Sequence, residues 1–155
     1  MNHSSKVGFS FGTASGVITT LGLIVGLTAS NASKELIIGG ILTIAFADAF
    51  SDALGIHISE ESEEKHTQKE IWTTTFSTYF TKLIIALTFL IPTLFLNTTF
   101  ALIVSIVWGM LLLSTLSYFI APKGTRARSV IEHLFVGLVV IITGFIIGQY
   151  IRNNI

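Results

Sequence analysis

Five apolar runs, each about as long as a bilayer is thick at ~20 residues, divide the chain at residues 7–29, 36–58, 75–96, 100–120 and 130–151. A chain built this way has few folding solutions, because in hydrocarbon only helices and closed barrels satisfy their own backbone polar groups. The runs are continuous rather than alternating, which argues against barrel strands. They predict an all-α membrane protein, one bundle of five transmembrane helices in a single domain. Composition agrees: 51% of the residues are hydrophobic and 12% charged, and the mean hydropathy is +0.77. Without cysteine, the chain has no disulfide, thiolate metal site or cysteine nucleophile. Nine basic residues balance nine acidic ones with no basic, aromatic-studded patch, so the expected partner is the lipid bilayer and not nucleic acid.

Lysine and arginine set the expected orientation. With five spans, the N-terminus and the two longer connections share one side and carry Lys6, Lys65, Lys69, Lys123, Arg126 and Arg128. Lys34 and Arg152 lie opposite. The excess predicts a cytoplasmic N-terminus, in the cell membrane if the source is prokaryotic. The first run loosely imitates a cleaved leader, but its weak basic start and long Gly/Thr-rich body favour a retained span.

Two carboxylates interrupt the second run. Asp48 and Asp52 stand one helical turn apart and so point the same way. A carboxylate near the middle of a span costs about 2.5–3.5 kcal/mol on insertion scales, so this stripe has to face protein, water or a cation. If the second helix continues unbroken through an acidic extension at residues 59–74, Asp48, Asp52, Ser59, Glu63, His66 and Glu70 fall within about 60° of one another. His57 then faces away, as an interfacial histidine. Glu63 and His66 have the i,i+3 spacing that brings carboxylate and imidazole together in di-iron bundles. Crowded like charges at Glu60 and Glu64 also favour a bound cation. The expected metal-binding residues are therefore Asp48, Asp52, Glu60, Glu63, His66 and Glu70: an intramembrane station and an acidic mouth whose ligands replace hydration without trapping the ion.

Bland readings compete. The acidic run can be a solvated helix end, with Glu61 and Lys65 as an i,i+4 pair. Lys82 lies about as deep in the third span as Asp52 in the second, so the two can neutralise each other. Lys82 can instead snorkel to the interface. Ser129-x-x-Glu132 matches a capping box opening the fifth helix. Thr13, Ser15 and Thr19 can offer hydroxyls to a path, though packing is the commoner role. Gly12-x-x-x-Gly16, Gly22-x-x-x-Gly26 and Gly144-x-x-x-Gly148 mark close helix contacts. The glycine density of the first span predicts a crowded position, at the bundle centre or at a subunit contact near Gly16 and Val17. Pro92 predicts a bend in the third span.

Several of these stretches together resemble the vacuolar iron transporter (VIT) family. The resemblance rests on Gly12-Thr-Ala-Ser-Gly-Val-Ile-Thr-Thr-Leu-Gly-Leu-Ile-Val-Gly-Leu in the first span and Ala47-Asp-Ala-Phe-Ser-Asp-Ala-Leu-Gly in the second, with acidic residues following. Leu90-Ile-Pro92, Val136-Gly137 and Ile147-Gly148 fit the same template. It implies a homodimer that exports Fe²⁺ or Mn²⁺ from the cytoplasm, usually in exchange for protons. The chain departs from the family pattern in its short connection after the second span, about one extended helix in place of a separate metal-binding bundle, and at three residues. Ser15 stands where the family has an aspartate, Asp52 where it has a methionine, and Asp48 where a small residue is usual. The pathway carboxylate thus moves from the first helix to the second. Losing a thioether and gaining hard oxygens shifts preference toward harder cations such as Mn²⁺, Mg²⁺ or Ca²⁺.

The expected function is a divalent metal transporter, with the metal as cargo rather than resident cofactor, and not an enzyme. A pair of adjacent carboxylates can hold a proton or a divalent ion, which supplies an exchange mechanism. A non-transporting membrane scaffold or metal sensor is the alternative. A metal-dependent intramembrane enzyme is weaker still, because Asp-x-x-x-Asp here lacks both the Asp-Gly and Ala-Arg context of lipid phosphotransferases and a second aspartate-bearing helix for a protease dyad.

Overall fold

The computed structural model describes residues 2–63 and 65–155, and Glu64 lies outside them. It is 88% helical, without strands among the described residues. Five helices are long and apolar enough to cross a membrane: α1 (His3–Ala29), α2 (Lys34–Ser62), α3 (Gln68–Phe95), α4 (Thr98–Ile120) and α5 (Arg126–Asn154). The protein is an integral membrane protein built as a five-helix bundle.

Local chemistry sets the helix ends. Side chains of Asn2, Ser33, Thr67 and Asn97 each accept a backbone N–H from the first turn of the helix they precede, satisfying donors that the ladder leaves free. After α1 the chain reverses through Asn31 at φ 62°, a left-handed conformation that asparagine tolerates. Lys34 then donates to the carbonyls of Leu94 and Leu96 at 2.8 and 3.1 Å, tying the start of α2 to the end of α3.

α1 is the hub of the bundle and packs against all four other helices. Val17, Leu21, Ile24 and Val25 from α1 meet Ile37 and Ile41 of α2, Phe89 of α3 and Leu113 of α4 in the core. Its glycines have divided duties. A Cβ on Gly12 would stand 2.6 Å from the Thr78 carbonyl of α3. On the other flank, a Cβ on Gly144 of α5 would meet the Gly22 carbonyl at 3.0 Å. The small-residue spacings therefore serve packing inside one chain, where backbone approach replaces the hydrophobic drive absent in lipid. Gly16 and Val17 are buried within the subunit, which removes them as a subunit contact. Buried threonines on α3 return their hydroxyls to the carbonyl one turn back, as in Thr75 to Ile71 and Thr78 to Thr74.

Two breaks in regularity position the site. α3 is interrupted at Phe89, between Gln68–Thr88 and Leu90–Phe95, as Pro92 requires of an i−4 ladder. In α2 the turn Ile44–Asp48 is a π-helix. It straightens a row that would otherwise wander. Ile37, Ile41, Ala45, Ala49 and Ala53 are all buried, while Gly39, Thr43, Ala47, Ser51 and Gly55 are all exposed. Rows at i,i+4 drift by about 40° per step in a regular helix, so one wide turn lets both rows keep their sides.

The sequence expectation for the 59–74 extension needs correction. α2 ends at Ser62, and residues 65 and 67 are non-helical. α3 opens at Gln68, seven residues before the expected start, because Thr67 and Glu70 form a capping box. Crowding Glu60, Glu61 and Glu63 at the negative end of the α2 dipole also disfavours continuation. α5 likewise begins at Arg126 instead of at a Ser129 box, with Thr125 before it giving no side-chain cap. Glu132 pairs with Arg128 at 2.7 Å.

Candidate metal centre

The Lys82 side chain is fully buried yet charged in type, which in an apolar bundle demands partners. It has three. Nζ lies 2.5 Å from Asp48 Oδ2 and 2.6 Å from Asp52 Oδ2, and 3.0 Å from Ser15 Oγ. Ser15 in turn donates to Asp52 Oδ2 at 2.5 Å. The contacts to Asp52 and Ser15 have hydrogen-bond alignment, whereas that to Asp48 is ionic, since Asp48 Oδ2 makes no aligned hydrogen bond. α1, α2 and α3 thus meet at one point near mid-span. The π turn delivers Asp48 there and the first turn of Ala49–Ser62 delivers Asp52.

The centre is lopsided. Lys82 sits at zero exposure on the inner side, while the side chains of Asp48 and Asp52 remain 37% and 21% exposed. Both aspartates engage the lysine through Oδ2, and each side chain keeps part of its surface open. Elsewhere on α2 the row Gly39, Thr43, Ala47, Ser51 and Gly55 is exposed, and a Cβ on Gly39 or Gly55 would touch nothing. With all three groups ionised the charges sum to −1. Such a centre attracts a cation from its open side but already contains a tethered one.

The mouth residues gather differently from the continuous stripe expected from the sequence. His66 Nε2 lies 3.5 Å from Glu60 Oε2 and 3.8 Å from Glu63 Oε2. Glu70 is not with them; its Oε2 accepts from the backbone and hydroxyl of Thr67. Among the described residues no group of three or more acidic, histidine or cysteine side chains converges with the geometry of a metal site. His57 faces the bundle, with Nδ1 2.9 Å from Thr75 Oγ1 and its ring edge-on to Trp72. Thr13 and Thr19 bond back to Phe9 and Ser15 carbonyls, leaving Ser15 as the α1 hydroxyl that reaches the centre. The expected Lys82–Asp52 pair is present, and snorkelling of Lys82 is excluded by its burial. The sequence pairs Lys82 with Asp52 alone and misses Ser15 as a bridge and Asp48 as a second partner; for Asp48, its depth one turn from Asp52 was the available signal.

No curated protein matches the chain. The VIT family model matches residues 9–75, a stretch that takes in α1, α2 and the opening of α3 with Ser15, both aspartates and the acidic mouth, but not Lys82. Over those residues the chain is similar to the VIT family.

Proposed function

We propose that this protein moves a divalent metal cation, Fe²⁺- or Mn²⁺-like, out of the cytoplasm in exchange for protons, through a path lined by Asp48 and Asp52. Similarity to the VIT family points to metal-ion transport across a membrane; the ion, the coupling and the direction are our reading. The observation that carries it is that two carboxylates one turn apart on α2, near the middle of the span, stay partly exposed beside a fully buried lysine. Facing lipid there is costly, so their open side calls for a cover that leaves room for a hydrated ion. A second copy of the chain is the simplest cover. The exposed row from Gly39 to Gly55 suits close helix approach, which moves the proposed homodimer contact from α1 to α2. Glu60, Glu63 and His66 would recruit the ion at the cytoplasmic mouth. The ammonium of Lys82 then acts as a tethered competitor that the metal displaces from at least one aspartate, keeping the ion from being held permanently.

Burial of Lys82 against both aspartates also favours a second reading, in which the triad is a structural ion pair in a non-transporting scaffold or sensor. Metal uptake into proteoliposomes under an imposed pH gradient separates the two, with Fe²⁺, Mn²⁺, Co²⁺, Zn²⁺ and Ca²⁺ as test ions. On the transport reading Asp52→Asn folds but takes up no metal, and Glu63→Gln with His66→Ala mainly weakens cytoplasmic-side affinity. A Lys82→Met, Asp52→Leu double variant that takes up metal like the parent would make Asp52 structural and sink the mechanism.

A further inference from the structure

The corner between α4 and α5 holds a second concentration of charge that the metal path does not use. A hollow of about 620 Å³ opens there, lined by Tyr118, Lys123, Gly124, Arg126, Val130 and Ile131. Two of these are cations and none is a carboxylate. The nearby acid in sequence, Glu132, does not line the hollow and is held by Arg128. Arg126 is set in place by its guanidinium lying 4.6 Å from the centre of the Tyr118 ring, an arrangement that fixes a planar donor fork. Its Nε is buried and finds no acceptor among the described residues. No side chain caps the first turn of α5, so the backbone adds positive partial charge at the same corner.

Below the polar rim the lining turns apolar. Ile131 is 66% exposed and continues along α5 into exposed Phe135, Leu138 and Ile142, one i,i+4,i+7,i+11 stripe on the outer face of the bundle. Cations at the membrane boundary above an uncovered apolar stripe match an amphiphile with an anionic head and a hydrocarbon tail. We propose that this corner binds an anionic phospholipid, its phosphate held by Lys123 and Arg126 beside the Tyr118 hydroxyl and one acyl chain lying along Ile131, Phe135, Leu138 and Ile142. The site is independent of what the Asp48–Lys82–Asp52 centre does.

Native mass spectrometry of the full chain released from micelles doped with phosphatidylglycerol or phosphatidylcholine tests it. The parent should retain phosphatidylglycerol in preference to phosphatidylcholine. Lys123→Gln and Arg126→Gln should each reduce that preference about fivefold, the equivalent of about 1 kcal/mol per basic residue. Lys6→Gln and Arg152→Gln, which remove cations elsewhere, should leave it unchanged. Equal retention of the two lipids, an equal loss in the Arg152→Gln control, or full displacement by millimolar inorganic phosphate would each overturn the proposal. If Arg126→Gln does not fold, Lys123→Gln and Lys123→Glu decide, the second predicted to abolish the preference.

Discussion

Replacing Lys82 with methionine tests how much the bundle depends on the buried cation. Methionine keeps most of the aliphatic stem and fills the same core position, so the change is chiefly electrostatic. It strips two carboxylates of the ammonium that lies 2.5 and 2.6 Å from them and leaves like charges one turn apart. Removing one member of a buried ion pair costs about 3–5 kcal/mol. Both aspartates keep some access to the open side, so the lower end applies, about 3 kcal/mol. For a chain of this size each kcal/mol moves Tm by roughly 2–4 °C, which gives a fall of about 6–12 °C. Thermal unfolding in mild detergent, followed by near-ultraviolet circular dichroism, reads this directly. Adding Asp52→Leu removes one stranded charge, and the double variant should recover about 2 kcal/mol relative to the sum of the single changes. On the transport reading, Mn²⁺ should stabilise Lys82→Met more than the parent, because the tethered competitor is gone and metal binding adds stability by mass action. A Lys82→Met protein melting within about 2 °C of the parent, with additive double-variant energies, would refute the claim that the triad is an energetic unit.

Three further outcomes follow from the fold and the proposed path. Single cysteines at Ser62 and Lys123 should be labelled from the cytoplasmic side and one at Asn153 from the other; labelling of Ser62 and Asn153 from one side would contradict the five-span topology. Cysteines at Ala47 or Ser51 should crosslink two copies readily while one at Val17 should not, and a protein that is monomeric in both detergent and nanodiscs would end the dimer proposal. Gly12→Val should destabilise the bundle by about 1–3 kcal/mol, as overpacking does, because its side chain would meet the Thr78 carbonyl; Gly55→Val, facing open space, should melt like the parent unless it blocks subunit contact, which the crosslinking yield reports separately.

What was legible in the sequence were the features that hydrocarbon enforces. Long apolar runs had to become helices, and glycines four apart had to mark close contacts. Asp52 and Lys82 at matching depth were readable as candidates to meet, because unpaired charges do not persist there. The termination of α2 was less visible, since Glu60 to Glu70 has neither glycine nor proline. The signal was present in Thr67-x-x-Glu70, whose reciprocal bonds start a new helix and take Glu70 away from the mouth. Phase along α2 was not readable at all. A wheel drawn at 100° per residue assumes an unbroken ladder, and nothing in Ile44-Ala-Phe-Ala-Asp48 announces a wide turn. The role of Ser15 depended on knowing which face α1 turns toward α2, a tertiary fact set by packing on three other helices.

The wide turn at Ile44–Asp48 makes the centre depend on the phase of the helix as well as on its chemistry. It accommodates one residue beyond what a regular helix would hold between the two halves of α2. Deleting a single residue there would let the ladder close into ordinary α-helix with everything beyond it in the same phase, whereas closing the turn at full length would rotate everything beyond it by about 100°. In that second case Asp52 would swing away from Lys82, and the alanine row from Ala49 onward would turn off the core, although every side chain that matters would still be encoded. Substitutions such as Ala47→Ser would by contrast leave the phase intact. A one-residue deletion in this five-residue window should therefore be tolerated better than a one-residue insertion, because the first is absorbed by closing the turn and the second turns Asp52 out of phase with Ile41.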